Sequence, residues 1–414
     1  MKTKTNWQNL QLQDIGSIVA GGTPSTKNPN NFGGGVAWIT PADLTGYTDK
    51  YISKGKRNLS KTGLKNSSAI LLPKGSVLCS SRAPIGYVVI AENEIATNQG
   101  FKNVVPNTKI VNSEYLYYFL KGNKDLITSF ASGTTFLEIS AKRFSAIPIP
   151  VPPMAEQKRI VRKIEELFGV IDRDIQRLTD TLEQLSQFRQ SVLEKLLNNP
   201  VYPKVSFNDG IEKIIGGSTP SKTVSAYYEG HIPFMTVKDM TSPRPQDTAW
   251  HITQEAVDNC STHIIPANTL ITATRVGLGK TVLMPFPVAI NQDLKALVLN
   301  KNKVNTRFFE FILNAKTTEI ISKSRGTTVK GITLEDFKSI KFYLPTLPEQ
   351  QKIVDEIEKA FRSADKVQKA VQNALEEAKK LKQSILKKAF AGELVPQDPN
   401  DKPVNLPVLK GKTK

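Results

Sequence analysis

GGTPS, residues 21–25, and GSTPS, residues 217–221, are two spellings of one small loop in a chain of 414 residues. Superposing Ile15 on Ile211 matches the loops, and the same register sets Thr40 on Thr236 and Asp43 on Asp239. After a three-residue adjustment SVLCSSRAPIG (76–86) lies on TLITATRVGLG (269–279), which pairs Arg82 with Arg275. ATNQGF (96–101) then meets AINQDL (289–294), SGTTF (132–136) meets RGTTV (325–329), and PMAEQKRIV (153–161) meets TLPEQQKIV (346–354). Collinear matches over this span leave no room for coincidence. The chain is two copies of one module.

Each module has two parts with different periods. Short β-rich runs such as AILLP, SVLCS and YVVIA alternate with Gly, Pro, Asn and Ser turns, and short helices are expected near Tyr115–Gly122 and Arg307–Ala315. That pattern reads as an α+β globular domain with a mixed, β-rich core. From Ala155 the period changes. Apolar residues at Ile160, Ile164, Leu167, Ile171, Ile175, Leu178, Leu182, Leu185, Val192 and Leu196 recur in steps of three and four, a helix with a coiled-coil seam. The second copy repeats it through Ile353, Ile357, Phe361, Ala364, Val367, Val371, Leu375, Ala378, Leu381 and Ile385. At 1.5 Å per residue each helix is roughly 60 Å long, and the two seams pair most simply with each other. The expected divisions are 1–152 and 199–347 for the two domains, 153–198 and 348–392 for the helices, and 393–414 for a basic tail.

Lys and Arg total 56 against 38 Asp and Glu, a formal net charge of +18 that favours nucleic acid over a membrane as partner. No apolar run is long enough to span a membrane, and the first residues lack the apolar block of a secretory signal. Cys79 and Cys260 stand far apart without partner spacing, so disulfide and zinc are both disfavoured and the chain reads as cytoplasmic.

Catalytic chemistry finds little support. VGLGKT, 276–281, looks like the end of a phosphate-binding loop, but Thr274 occupies the position of the first glycine and the first copy has no lysine there. His231, His251 and His263 all lie in the second half, so no histidine is doubled to serve a nucleophile. Asp43 and Asp239 recur, yet neither has the second carboxylate that acid–base chemistry needs. No residue is assigned to catalysis, to a cofactor or to a metal.

The doubled polar positions suit binding. Thr23, Ser25, Thr219 and Ser221, with Lys27 and Lys222 just beyond, sit on Gly-Pro loops where amides can approach a phosphate; a turn capping a preceding helix is the alternative. Arg82 and Arg275 follow an apolar strand and precede a glycine turn, a place from which a guanidinium enters a groove or makes a structural ion pair. Asn98, Gln99, Asn291 and Gln292 have the donor–acceptor pair that matches adenine, or else order their own loops. Lys54, Lys56, Arg57, Lys61 and Lys65 form a basic run without a strict copy, a phosphate track or a solvated face.

Two β-rich domains, each opened by an I…GGTPS loop and closed by a PxxEQ(K/Q)(R/K)IV helix, resemble the specificity subunit of type I restriction–modification systems. The stretch SILKKAFAGELVPQDPNDKPV, 384–404, is similar to that family's C-terminal signature, whereas the basic tail NLPVLKGKTK is shorter than in many members. The resemblance implies that each domain reads one half of a bipartite, asymmetric double-stranded DNA target. It implies that the helices form an antiparallel spacer that sets the gap, with Ile164, Ile171, Leu178, Leu185, Ile357, Ala364, Val371 and Leu381 in the seam or at subunit interfaces. It also implies two modification subunits carrying S-adenosylmethionine, and two restriction subunits using ATP and Mg²⁺. The chain itself would then catalyse nothing. A nucleic-acid scaffold outside restriction fits the charge but not the doubled EQ helix, and a fused methyltransferase lacks its motifs.

Overall fold

The two ends of each β-rich domain pair with each other. Strand Gln8–Gln11 pairs antiparallel with Pro148–Val151, and Lys204–Ser206 pairs in the same sense with Lys341–Tyr343. Each domain therefore begins and ends at one place, beside the start of a long helix. The computed structural model describes residues 6–133, 137–326 and 330–405. The TTF stretch at 134–136, the TTV stretch at 327–329 and the final residues of the basic tail lie outside the described residues.

The chain divides into two compact units, Met1–Arg177 with Ala374–Lys414, and Leu178–Asn373. Each long helix, Met154–Leu197 and Leu347–Phe390, is shared between them. In the first unit a five-stranded sheet runs in the order Gly16–Ala20, Phe101–Pro106, Val77–Ser80, Val88–Ala91, Tyr51–Ile52, beside a parallel pair formed by Trp38–Ile39 and Ala96–Thr97. In the second, Ile211–Gly216, Leu294–Leu299, Thr269–Ala273 and Thr281–Met284 make the corresponding sheet. A second four-stranded sheet there orders Trp250–Ile252, Ile232–Met235, Val288–Ile290 and Ile264–Ile265.

The copies thus share a frame and differ in one segment. Tyr51–Ile52 joins the main sheet by parallel pairing with Val88–Ala91, whereas Trp250–Ile252 joins the smaller sheet through Ile232–Met235. AILLP makes no strand. Only Leu72 bridges to Ile95, because the exposed Ile70 and Leu71 have no neighbouring strand to pair with.

The two expected short helices are Ser113–Gly122 and Thr306–Ala315. Asn112 caps the first by accepting from the Tyr115 amide, and Asn305 caps the second by accepting from Arg307 and Phe308. Their buried faces, Tyr115, Leu116 and Phe119, and Phe308, Phe309 and Ile312, anchor the two main cores.

The EQ of each long helix has a structural explanation. Gln157 is 0% exposed; its amide nitrogen donates to the carbonyls of Ile110 and Pro152, at 2.9 Å each, and its oxygen accepts from the Asn112 amide at 2.8 Å. Gln350, also 0% exposed, makes the same three bonds to Lys303, Pro345 and Asn305. One side chain ties the helix start, the helix-capping asparagine and the loop before it.

Within the first unit the two helices run antiparallel: Ile160, Ile164 and Ile171 share a core with Ile385, Leu386 and Ala389, and Asp172 pairs with Lys382. Within the second, Leu193 and Leu197 share a core with Val354 and Ile357, and Arg189 meets Asp365 at 2.7 Å. Ala364 and Val371 are buried, and Leu178 and Leu185 are half-buried. Leu381 departs from the expected seam. It is 52% exposed, because the helix turns its neighbour Lys382 inward to Asp172 instead. Ile357→Ala should cost about 2–5 kcal/mol in denaturation, while Leu381→Ala should stay within about 0.5 kcal/mol. Equal losses would restore Leu381 to the seam.

Candidate nucleic-acid interface

The doubled GGTPS loop follows a strand in each unit, Gly16–Ala20 and Ile211–Gly216, so it does not cap a helix. Close backbone approach requires its first glycine: a Cβ on Gly21 would lie 1.8 Å from the Asn98 carbonyl oxygen, and one on Gly217 would lie 1.8 Å from that of Ile290. The loop is seated on the Asn-Gln turn. There the Thr23 hydroxyl donates to the Gln99 side-chain oxygen, and Thr219 donates to that of Gln292 at 2.6 Å.

Asn98 and Asn291 turn inward to order this loop, accepting from the amides of Gly100 at 2.9 Å and Asp293 at 3.2 Å. Gln99 and Gln292 are exposed. Their oxygens are taken by the threonines, and among the described residues their amide nitrogens have no partner. The structure therefore separates the four amides into two that build and two that present donors.

Both arginines are held beside carboxylates yet remain open to solvent. Arg82 lies 3.4 Å from Glu138 and Arg275 lies 3.6 Å from Asp293. Next to them stand two lysines that no motif marks, Lys102 and Lys295, at matching positions of strands Phe101–Pro106 and Leu294–Leu299. Lys102 donates to the Ser81 hydroxyl at 3.2 Å and Lys295 to the Gln292 carbonyl at 3.0 Å. Burial pushes both ammonium groups below the ordinary lysine range, against the pull of Glu138 on Lys102 and of Asp293 on Lys295, and Arg82 and Arg275 add to the lowering. The signal in the sequence was the doubled cation one residue after Phe101 and Leu294, hidden inside an apolar strand.

Other expected positions fall elsewhere. Ser25 and Lys27 are exposed on the loop beyond GGTPS, and Lys222 is exposed beside Ser221, whose hydroxyl is engaged with Thr223 at 2.7 Å. Lys61 and Lys65 are exposed on helix Lys61–Lys65, and Arg57 lies over the Phe32 ring at 3.4 Å. Arg57, Lys61 and Lys65 belong to the segment in which the copies differ. Asp43 accepts from Thr40 twice and from the Lys56 amide; Asp239 accepts from Thr236 twice and from the Ala249 amide. Both carboxylates are consumed in fastening this segment. Residues 276–279 make the turn between strands Thr269–Ala273 and Thr281–Met284, with Gly277 and Gly279 at positive φ. Burial pushes the Cys79 thiol up to about 12, so it is unsuited to nucleophilic chemistry.

A polar strut ties the differing segment to the long helix in each unit. In the first, Lys50 pairs with Glu114 and Glu165 together, and Tyr51 donates to Glu114 at 2.5 Å. In the second, Arg244 makes two bonds to Glu310, at 2.8 and 2.7 Å, and Arg307 reaches Glu310 at 2.6 Å and Glu358 at 2.7 Å. Glu165 and Glu358 occupy the same place in the repeat, while their cations arise at different places.

Residues 4–184 and 201–377 each match the family described as Type I restriction modification DNA specificity domain. The chain belongs to this family. It is similar, at 28% identity over 416 residues, to the MjaIX specificity subunit of Methanocaldococcus jannaschii, covering 95% of this chain and 94% of that one. It is also similar, at 26% identity over 322 residues, to the EcoKI specificity subunit of Escherichia coli, covering 72% of this chain and 69% of that one. Among solved structures, one reported under complex assembly and conformational transition of the type I R-M system superposes with a TM-score of 0.75 at 20% identity, over 95% of this chain and all of that one. The HsdS subunit of Thermoanaerobacter tengcongensis shares the fold at a TM-score of 0.52 and 20% identity, over 95% of this chain and 98% of that one. Two specificity domains in tandem make the chain the DNA-specificity component of a type I restriction–modification system, a non-catalytic role. Among the described residues no helix is long and apolar enough to cross a membrane.

Proposed function

We propose that each unit reads one half of a bipartite, asymmetric DNA target, that the long helices set the gap, and that two modification subunits carrying S-adenosylmethionine methylate one adenine in each half. Two restriction subunits using ATP and Mg²⁺ join the same assembly. The single observation that carries this reading is a shared frame bearing two different segments: Gly16–Ala20 and Ile211–Gly216 head equivalent sheets, but the strands at Tyr51 and Trp250 attach differently. A frame held constant places two readers alike, and a segment that varies lets them read different bases. Exposed apolar side chains on the helices, Phe188 in one unit and Leu381 in the other, stand at the same position of the repeat, as docking of two identical subunits requires.

Methylome sequencing of the host with and without this gene tests the proposal. Loss of one bipartite methylated-adenine motif is the expected result; an unchanged methylome rejects it. Arg57, which lies in the differing segment, provides a finer test. Arg57→Ala should relax recognition in one half by roughly tenfold to a hundredfold, the value of about 1–3 kcal/mol for a base contact, and leave the other half intact.

A further inference from the structure

One carboxylate serves two cations in each unit. Glu138 lies 3.4 Å from Arg82 and 3.6 Å from Lys102, and Asp293 lies 3.6 Å from Arg275 in the field of Lys295. The cations recur at the same places of the repeat, but the carboxylates do not. In the register that pairs Arg82 with Arg275, Glu138 meets Gly331 and Asp293 meets Gly100. Were the arginines kept for one structural ion pair, the acid would recur with them. What recurs is an arginine, a lysine and a threonine-held glutamine with its amide nitrogen open. Two cations against one carboxylate leave each cluster with one surplus positive charge.

We infer that each cluster seats one phosphate of the DNA backbone, bound by Arg82, Lys102 and Gln99 in the first unit and by Arg275, Lys295 and Gln292 in the second. This rests on the proposed reading of a bipartite target, and it moves the two arginines from base edges to the backbone. Two half-sites of different sequence have the phosphodiester in common, so residues written identically in both readers suit that group. An arginine that selected a base would impose the same base on both halves. The bound phosphate neutralises the surplus charge and accepts from the glutamine amide, whose orientation the threonine hydroxyl holds. The clusters therefore fix register, and the differing segments supply sequence.

The test uses the full-length chain and a fluorescent duplex of mixed sequence, with binding followed by anisotropy across a salt series. Arg82→Gln and Arg275→Gln should each lower the slope of log affinity against log salt by about 0.9, and the double variant by about twice that. The loss should be the same on unrelated duplexes. Gln99→Glu and Gln292→Glu place a negative charge at exposed positions that bury nothing, and should weaken binding in the same sequence-independent way. They decide the matter if the arginine variants fail to fold by circular dichroism. Unchanged slopes in folded variants overturn the inference, and so does a loss confined to one duplex sequence, which marks a base contact. Normal DNA binding with failed capture of the modification subunit overturns it in favour of a protein-docking cluster. Failure of the underlying reading looks different: the unaltered chain, alone and with modification subunits, would show no salt-dependent DNA binding.

Discussion

Gln157→Leu should lower the melting temperature of the first unit by on the order of 10 °C, although it leaves side-chain volume nearly unchanged. Leucine cannot satisfy the Asn112 amide or the carbonyls of Ile110 and Pro152, which Gln157 bonds in a fully buried site. A buried polar group left without a partner costs about 1–3 kcal/mol, so the three together reach several kcal/mol. For domains of this size each kcal/mol moves the midpoint by about 2–4 °C. Gln350→Leu should do the same to the second unit through Asn305, Lys303 and Pro345. The two glutamines share no bonding partner, so the double variant should lose about the sum of the single losses. Thermal melting of the full chain by circular dichroism is the measurement. A shift below about 2 °C would show that water replaces the clamp.

Glu310→Ala should be the most damaging change among the ion pairs, at about 3 kcal/mol or more, and should act on the second unit alone. Glu310 is 3% exposed and receives both Arg244 and Arg307. Its removal leaves Arg244 without its carboxylate and Arg307 with Glu358 alone, and breaking a buried pair so that one charge is orphaned costs about 3–5 kcal/mol. Each arginine is about one-third exposed, and solvent screening keeps the cost towards the lower end of that range. Arg244→Leu should cost less, because Glu310 keeps Arg307, but it should detach the differing segment from helix Thr306–Ala315. Denaturation should therefore show a large shift for Glu310→Ala, a small one for Arg244→Leu, and no change in the transition of the first unit. DNA recognition should be lost in one half-site. Equal shifts for the two variants would mean that Glu310 contributes nothing beyond its bond to Arg244.

The repeat, the long helices and the family are legible in the sequence, because each rests on spacing along the chain. A loop written twice, a seam stepping in threes and fours, and an EQ pair at each helix entry are local patterns that survive without knowledge of what faces them. Candidate positions were legible as residue types and less so as roles. Asn98 and Gln99 are adjacent and chemically alike, yet one folds inward to Gly100 and the other is held outward by Thr23. Adjacent residues on a turn point in different directions, and only the loop packed behind them decides which is which.

The repeat by itself determined that the chain is two copies of one module and that none of its three histidines is doubled. Tertiary structure decided the rest. It engaged Asp43 and Asp239 in hydrogen bonds that fasten a segment, and it turned Leu381 outward while Lys382 met Asp172. It brought Arg82, Lys102 and Glu138 together from a turn, a strand and a loop. The acid beside each arginine comes from a different place in each copy, so no alignment of the copies could supply it. Charge neutralisation depends on distance through space, and that distance is set by strand pairing between residues far apart in the chain.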